Sequence, residues 1–343
     1  MDYRRLKKIL IIKPSSLGDV IHALPVAYAL KAEIPGADID WVIGAGYEEL
    51  LEGNTAVKRT ITFDRMLLQG WNGLSNLRSF VGQLRRERYD LVIDLQGLLR
   101  SALMAYASRS DSRLGFANAR EGAPLFYTER VAVPDPSIHA VDRYLLTLES
   151  IGIENHGVPK FDIILEERHD KEAVSLLKEF DIENGEGFAA IAPSARWLTK
   201  RWPAERFIEL ANRINGARLK TVFIGTKDEE AVLSEHLDKL IIRNLAFGRT
   251  SIKGLAALLK RARLLVTNDS GPMHIAAAVG TPAAAIFGPT DPVRTGPYGS
   301  MHRVITAGVE CAPCLKRECE NVRCLSDISV DAVFDVVKAM ILP

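Results

Sequence analysis

Short apolar runs alternate with longer amphipathic stretches along almost the whole chain, and this rhythm is played through twice. Strands that pair in parallel need a crossover of a dozen or more residues between them, usually a helix, so the alternation restricts the fold to the α/β class. In the first half, residues 8–12 (KILII) read as a buried strand, followed by a turn at 14–18 and a helix from about Asp19. Pro25 is expected in an early turn of that helix or at a kink. Further strands are predicted at 39–43, 60–63, 90–95 and 130–133, and helices at 74–88 and 140–152. The polar stretch at 154–162, which contains Gly and Pro, reads as a linker. The pattern then restarts, with helices predicted at 171–180, 203–215, 252–261 and 271–279 and a further one opening at Lys227. Between them lie strands at 188–192, 220–225, 263–268 and 283–287. Two Rossmann-like halves with a cleft between them are the expected architecture, with ligands at the carboxyl ends of the strands.

The 343 residues suit two domains of ordinary size. Lys and Arg number 44 against 43 Asp and Glu, which removes any global electrostatic case for nucleic acid as a partner. At 47% hydrophobic and 25% charged residues, collagenous, disordered and disulfide-scaffold classes are excluded. No run of about 18 apolar residues is present, so no membrane-spanning helix is expected. The apolar run at 9–12 is too short for a signal peptide, and the default compartment is the cytoplasm.

Three turns between strand and helix carry the candidate chemistry. In Lys13-Pro14-Ser15-Ser16-Leu17-Gly18-Asp19, a single glycine rules out a dinucleotide fingerprint. Ser16 and Gly18 let a polar loop approach a ligand closely. Asp19 stands at a helix N-terminus, where the local pattern supports capping and catalysis equally. In Asn268-Asp269-Ser270-Gly271-Pro272-Met273-His274, the backbone N–H groups of the turn suit a diphosphate. Asp269 would then meet a sugar hydroxyl, and His274 could point back at phosphate; a capped helix with a satisfied histidine is the plainer reading. Lys200-Arg201-Trp202-Pro203 brings positive charge to the place a leaving diphosphate would occupy, though alone it would read as a solvated basic loop.

Residues 13–25 (KPSSLGDVIHALP), 89–101 (YDLVIDLQGLLRS), Ala119-Arg120-Glu121, 200–203 (KRWP) and 267–282 (TNDSGPMHIAAAVGTP) follow one another in a telling order. That order resembles the lipopolysaccharide heptosyltransferases of glycosyltransferase family 9, most closely those of type I, over nearly the whole chain. The resemblance implies the GT-B fold: α/β, two Rossmann-like domains facing each other across a cleft. Residues 1–160 would form the acceptor domain and 161–328 the donor domain, while a C-terminal helix at 329–343 would pack back on the N-terminal domain. The implied reaction is inverting transfer of L-glycero-D-manno-heptose from ADP-heptose to a Kdo sugar of the lipopolysaccharide inner core, with no cofactor and no catalytic metal. Kdo2–lipid A or a related acceptor would be met at the cytoplasmic face of the inner membrane, with peripheral membrane contact. Rival readings are a type II acceptor, another nucleotide-sugar transferase, or a non-catalytic ADP-sugar-binding protein.

Carried over residue by residue, Asp19 matches the family's general base and Lys200 a donor-phosphate ligand. Asp269, Ser270, Gly271 and His274 match the donor turn, with Ser270 where some relatives have Thr. Glu229 looks like the acid that holds the adenosine ribose, and Thr250 falls near the adenine. Ser16, Gly18 and Arg120 fall on the acceptor side. Lys58 and Arg59 read more readily as surface charge. All four cysteines, Cys311, Cys314, Cys319 and Cys324, lie within 14 residues of one another. Their C-x2-C-x4-C-x4-C spacing allows a structural metal site or reduced structural thiols, ahead of any catalytic role.

Overall fold

The structure is a computed structural model that describes residues 2–64, 66, 73–154, 157–183 and 185–341. It divides into two compact units, Met1–Ile164 and Leu165–Pro343.

The first unit runs β1 (Lys8–Ile12), α1 (Leu17–Glu33), β2 (Asp38–Gly44), β3 (Arg59–Phe63), α2 (Gly73–Arg86), β4 (Leu91–Asp94), α3 (Leu99–Ala107), β5 (Arg113–Phe116), β6 (Glu129–Val131) and α4 (Ala140–Glu149). Its six strands are parallel and ordered β3-β2-β1-β4-β5-β6. That order reverses direction between β1 and β4, so the loops leaving these two strands flank the crevice where such sheets take ligands. Leu10, Ile12, Val42 and Val92 bury one sheet face against Phe80 and Leu84 of α2 and Met104 and Ala105 of α3.

The second unit runs α5 (Glu167–Glu179), β7 (Phe188–Ala192), α6 (Ala204–Gly216), β8 (Lys220–Phe223), a 3-10 stretch (Lys227–Lys239), α7 (Ile252–Arg261), β9 (Leu264–Asn268), α8 (Gly271–Val279), β10 (Ala283–Ile286), α9 (Pro292–Thr295), β11 (Arg303–Ile305), α10 (Arg323–Ser326) and α11 (Val330–Ile341). Its parallel strands are ordered β8-β7-β9-β10-β11, and here the direction reverses between β7 and β9. Strands such as FAAIA and AAAI are buried at every position, as a sheet covered on both faces requires. Gly280 ends α8 at φ 79°, the left-handed position that glycine occupies without strain.

Several expectations are corrected. The C-terminal helix does not belong with the first domain: α11 packs on α6, and Val333 and Val337 lie fully buried in the same core as Ile208, Ala211 and Ile286. Pro25 lies mid-helix, eight residues after Leu17, and α1 continues past it to Glu33. Of the expected linker, 155–156 lie outside the described residues, and Asp162 is tied to the first unit. Its carbonyl accepts from Asn54 Nδ2 at 2.7 Å, and its carboxylate from Thr55 Oγ1 at 2.6 Å. The segment after Lys227 is 3-10 rather than α-helical. Helix α3 and strands β5 and β11 were not anticipated.

β5 escapes notice because it is four residues long and holds a glycine. The missing side chain is used: a Cβ on Gly115 would lie 2.4 Å from the Tyr127 ring. The Tyr127 hydroxyl donates to Asp94 Oδ2 at 2.7 Å. Oδ1 of the fully buried Asp94 accepts the N–H groups of Gln96 and Gly97 at 2.9 and 3.2 Å, which shapes the loop after β4. Gly115→Ala is therefore expected to displace Tyr127 and lower stability by about 1–3 kcal/mol, the usual cost of overpacking a core; urea unfolding measures it, and an unchanged midpoint contradicts this account.

Candidate active site

At the crevice of the first unit, β1 delivers Lys13 and the N-terminus of α1 delivers Asp19. The two oxygens of Asp19 have different environments. Oδ2 accepts the Ser16 N–H at 3.0 Å and the Ser16 hydroxyl at 2.8 Å, a capping arrangement that holds the carboxylate still. Oδ1 lies 3.7 Å from Lys13 Nζ and accepts the Tyr144 hydroxyl at 3.3 Å. The Asp19 side chain remains 40% exposed, while that of Lys13 is only 3% exposed. Burial acts to raise the Asp19 pKa, but the Lys13 ammonium and the two Ser16 donors overcome it and hold the carboxyl well below the usual range. Burial disfavours the Lys13 cation in turn, yet Asp19 and Tyr144 outweigh it and leave its pKa raised. Lys13 Nζ donates to the Leu95 carbonyl at 3.3 Å, and Ser15 N–H to the Gln96 side-chain oxygen at 3.3 Å, so the loops after β1 and β4 are joined. Gly18 is buried beneath this turn. Arg120 is exposed at the same sheet edge, its N–H on the Gly97 carbonyl at 3.0 Å.

In the second unit the predicted donor residues all follow the carboxyl ends of β7, β8 and β9, on loops or in the helical turns that come next. Lys200 Nζ meets Asp269 Oδ2 at 2.6 Å, and Thr290 Oγ1 donates to the same oxygen at 2.6 Å. Lys200 also lies 4.6 Å from the centre of the Trp197 indole. Ser270 caps α8 with extended backbone, its hydroxyl 3.2 Å from that of Thr267. Gly271 starts the helix, Pro272 withdraws one N–H from it, and His274 is buried one turn in. On the β8 side, Glu229 Oε2 accepts the Thr226 N–H at 2.8 Å. A bond of 2.8 Å from Gly248 N–H to the Gly225 carbonyl draws the loop bearing the half-buried Thr250 against the one bearing Glu229.

The sequence reading missed Lys13, Tyr144, Asn268 and Thr290. A lysine directly after four buried aliphatics, and an asparagine ending a fully buried strand, were the available signals for Lys13 and Asn268. Tyr144 comes from a helix 125 residues away and had no local signal. Asp269, expected at a sugar hydroxyl, accepts from Lys200 and Thr290 on Oδ2. Lys58 pairs with Asp38 at 2.5 Å, as surface charge would, whereas Arg59, expected to be surface charge too, pairs with the buried Asp40 at 2.5 Å. Cys324 is buried and the other three cysteines are exposed. Among the described residues no group of three His, Cys, Asp or Glu is arranged to hold a metal ion. Burial pushes the Cys324 thiol up, helped by the neighbouring charges of Cys311, Cys314 and Cys319. No described helix is long and apolar enough to cross a membrane.

Comparison with known proteins gives concordant matches. The profile of glycosyltransferase family 9 (heptosyltransferase) matches residues 77–324. Lipopolysaccharide heptosyltransferase 1 of Pseudomonas aeruginosa is 32% identical over 91% of this chain and 87% of its own length. The crystal structure of a family 9 glycosyl transferase from Veillonella parvula superposes with a TM-score of 0.87 at 26% identity, covering 100% of this chain and 99% of that one. The Escherichia coli heptosyltransferase WaaC with ADP-2-deoxy-2-fluoro heptose gives 0.75 at 26% identity, over 97% and 99% of the two chains.

Lys13→Met is expected to raise the Asp19 pKa, because it removes the cation and keeps the burial while the two Ser16 donors stay in place. A depressed carboxylate pKa contributes stability at higher pH that is lost as pH falls through the folded-state value, so the variant loses this contribution at less acid pH. A carboxyl NMR titration reads the midpoint directly; an Asp19 titration identical to that of the parent refutes the assignment of Lys13.

Proposed function

The chain belongs to glycosyltransferase family 9, and on that footing we propose that it transfers L-glycero-D-manno-heptose from ADP-heptose to a Kdo sugar of the lipopolysaccharide inner core, with inversion. The observation that carries this reading is the character of Asp19: an anchored carboxylate with one oxygen outside the cap, 3.7 Å from the Lys13 ammonium, at the crevice of the first sheet.

In this mechanism the bond from the acceptor oxygen to the anomeric carbon forms as the bond from that carbon to the β-phosphate oxygen breaks. The acceptor proton passes to Asp19 Oδ1, and ADP leaves with the bonding pair. A carboxylate held below its ordinary pKa is a weak base toward a resting alcohol. It suffices here because a hydroxyl bonding to an oxocarbenium-like carbon becomes strongly acidic, so the proton is taken late. Negative charge growing on the diphosphate is met by Lys200 and the N–H groups that open α8, both fixed before reaction. Glu229 and Thr250 serve the ribose and adenine, and His274 the phosphate side of the donor turn. Asp269 orients Lys200 through Oδ2 and serves the donor sugar with its other oxygen. Ser16, Gly18 and Arg120 serve the acceptor, whose carboxylates and phosphates suit an exposed guanidinium. Work at the cytoplasmic face of the inner membrane, in peripheral contact with it, follows from such an acceptor.

Purified protein given ADP-heptose is expected to release ADP with Kdo2–lipid A and not with an already heptosylated core. Turnover confined to the heptosylated acceptor overturns the type I reading, and ADP binding without turnover on either favours a sensor. Asp19→Asn is expected to lower kcat by about 10²–10⁴, the range typical of a lost general base, while ADP affinity is retained; full turnover in that variant removes Asp19 from the mechanism.

A further inference from the structure

The Lys200–Asp269 pair leaves the proposed diphosphate corner short of positive charge. With Asp269 Oδ2 at 2.6 Å, the Lys200 cation is matched by an anion before any ligand arrives. The donor phosphates would bring two further negative charges, and the partial charge of one helix N-terminus offsets about half of one. A second cation lies close by. Arg317 Cζ stands 4.8 Å from the centre of the Trp197 indole, the ring that also carries Lys200. Among the described residues no carboxylate pairs with this guanidinium, and the residue is exposed.

The loop that carries Arg317 is built into the corner at both sides. Thr199, buried and next to Lys200, donates its hydroxyl to the Lys316 carbonyl at 2.9 Å. The N–H groups of Cys314 and Leu315 both bind the Pro289 carbonyl, at 3.0 and 2.8 Å. Pro289 precedes Thr290, whose hydroxyl holds Asp269. Leu315 itself adopts φ 58°, a left-handed conformation that a branched residue takes only when its surroundings impose it. A guanidinium stacked on an aromatic face keeps its N–H edge open for bidentate contact with phosphate, and the stacking removes much of the side-chain freedom such a contact would otherwise cost.

We propose that Arg317 is a second ligand of the donor diphosphate, presented by the cysteine-bearing loop and seated on Trp197 beside Lys200. This rests on the donor reading given above and adds to it a residue and a loop outside the motifs quoted in the sequence analysis.

Calorimetric titration of the full chain with ADP and with adenosine separates the possibilities. Wild type is expected to bind ADP, with affinity falling as salt rises. Arg317→Ala is expected to weaken ADP about tenfold or more, to leave adenosine unchanged and to flatten the salt dependence, while Arg317→Lys recovers part of the affinity. Trp197→Ala is expected to weaken ADP as well. ADP affinity equal to wild type in Arg317→Ala overturns the proposal and leaves the donor reading standing. Equal loss of ADP and adenosine assigns Arg317 a structural role and also overturns it. Failure of wild type to bind ADP sinks the donor reading, and this inference with it.

Discussion

The Asn268 side chain, fully buried at the end of β9, donates from its amide nitrogen to the Pro193 carbonyl at 2.8 Å and accepts the Trp202 N–H on its oxygen at 3.0 Å. One carboxamide thereby joins the loops leaving β7 and β9 at the point where the strand order reverses. Trp202 completes the joint. Its indole N–H reaches the Ile328 carbonyl at 3.0 Å, and its ring meets Phe207 edge-on at 5.0 Å. Everything that Lys200 does depends on this, because Lys200 lies on the short segment between the two fixed points. Without the amide, two buried backbone groups would lose their partners at about 1–3 kcal/mol each. The first unit uses the same device with different chemistry: Asp94, the last residue of β4, is buried and gathers two backbone N–H groups and a tyrosine hydroxyl. In both sheets a buried polar residue closes the strand just beyond the reversal and shapes the loop that a ligand would touch.

Capping and catalysis by Asp19 are not alternatives. The cap uses one oxygen and immobilises the group; the other oxygen has a cation and a phenol for company. Lys13 is buried and keeps its charge largely because Asp19 is beside it, and its ammonium in turn favours the ionised Asp19. Replacing either one alone would leave a buried or half-buried charge without its counterpart.

Much of this was legible in the sequence. The strands at residues 8–12 and 188–192 and the helix at 252–261 were read at their observed bounds, because an unbroken apolar run or a capped amphipathic stretch leaves little choice. The strand-to-helix turns were legible for the same reason: each follows a strand whose end is unmistakable. What escaped was long-range or subtractive. Tyr144 reaches Asp19 from a distant helix. Gly115 matters through an atom it lacks. The pairing of Asp269 with Lys200 joins two motifs that had been read separately, one as a sugar contact and the other as a phosphate contact. The final helix was misassigned because an apolar face of Val330, Val333 and Val337 shows that a helix is buried without saying against what.

That last helix has a consequence for how the protein is made. Every element of the first unit has been synthesised by residue 164, so it has its whole core to hand while more than half of the chain is still to come. The second unit must wait, since α11 supplies Val333 and Val337 to the face that α6 and the strands present. Until those residues leave the ribosome, that face stays open to water and to other chains, and the second unit is the half more exposed to misassembly during translation.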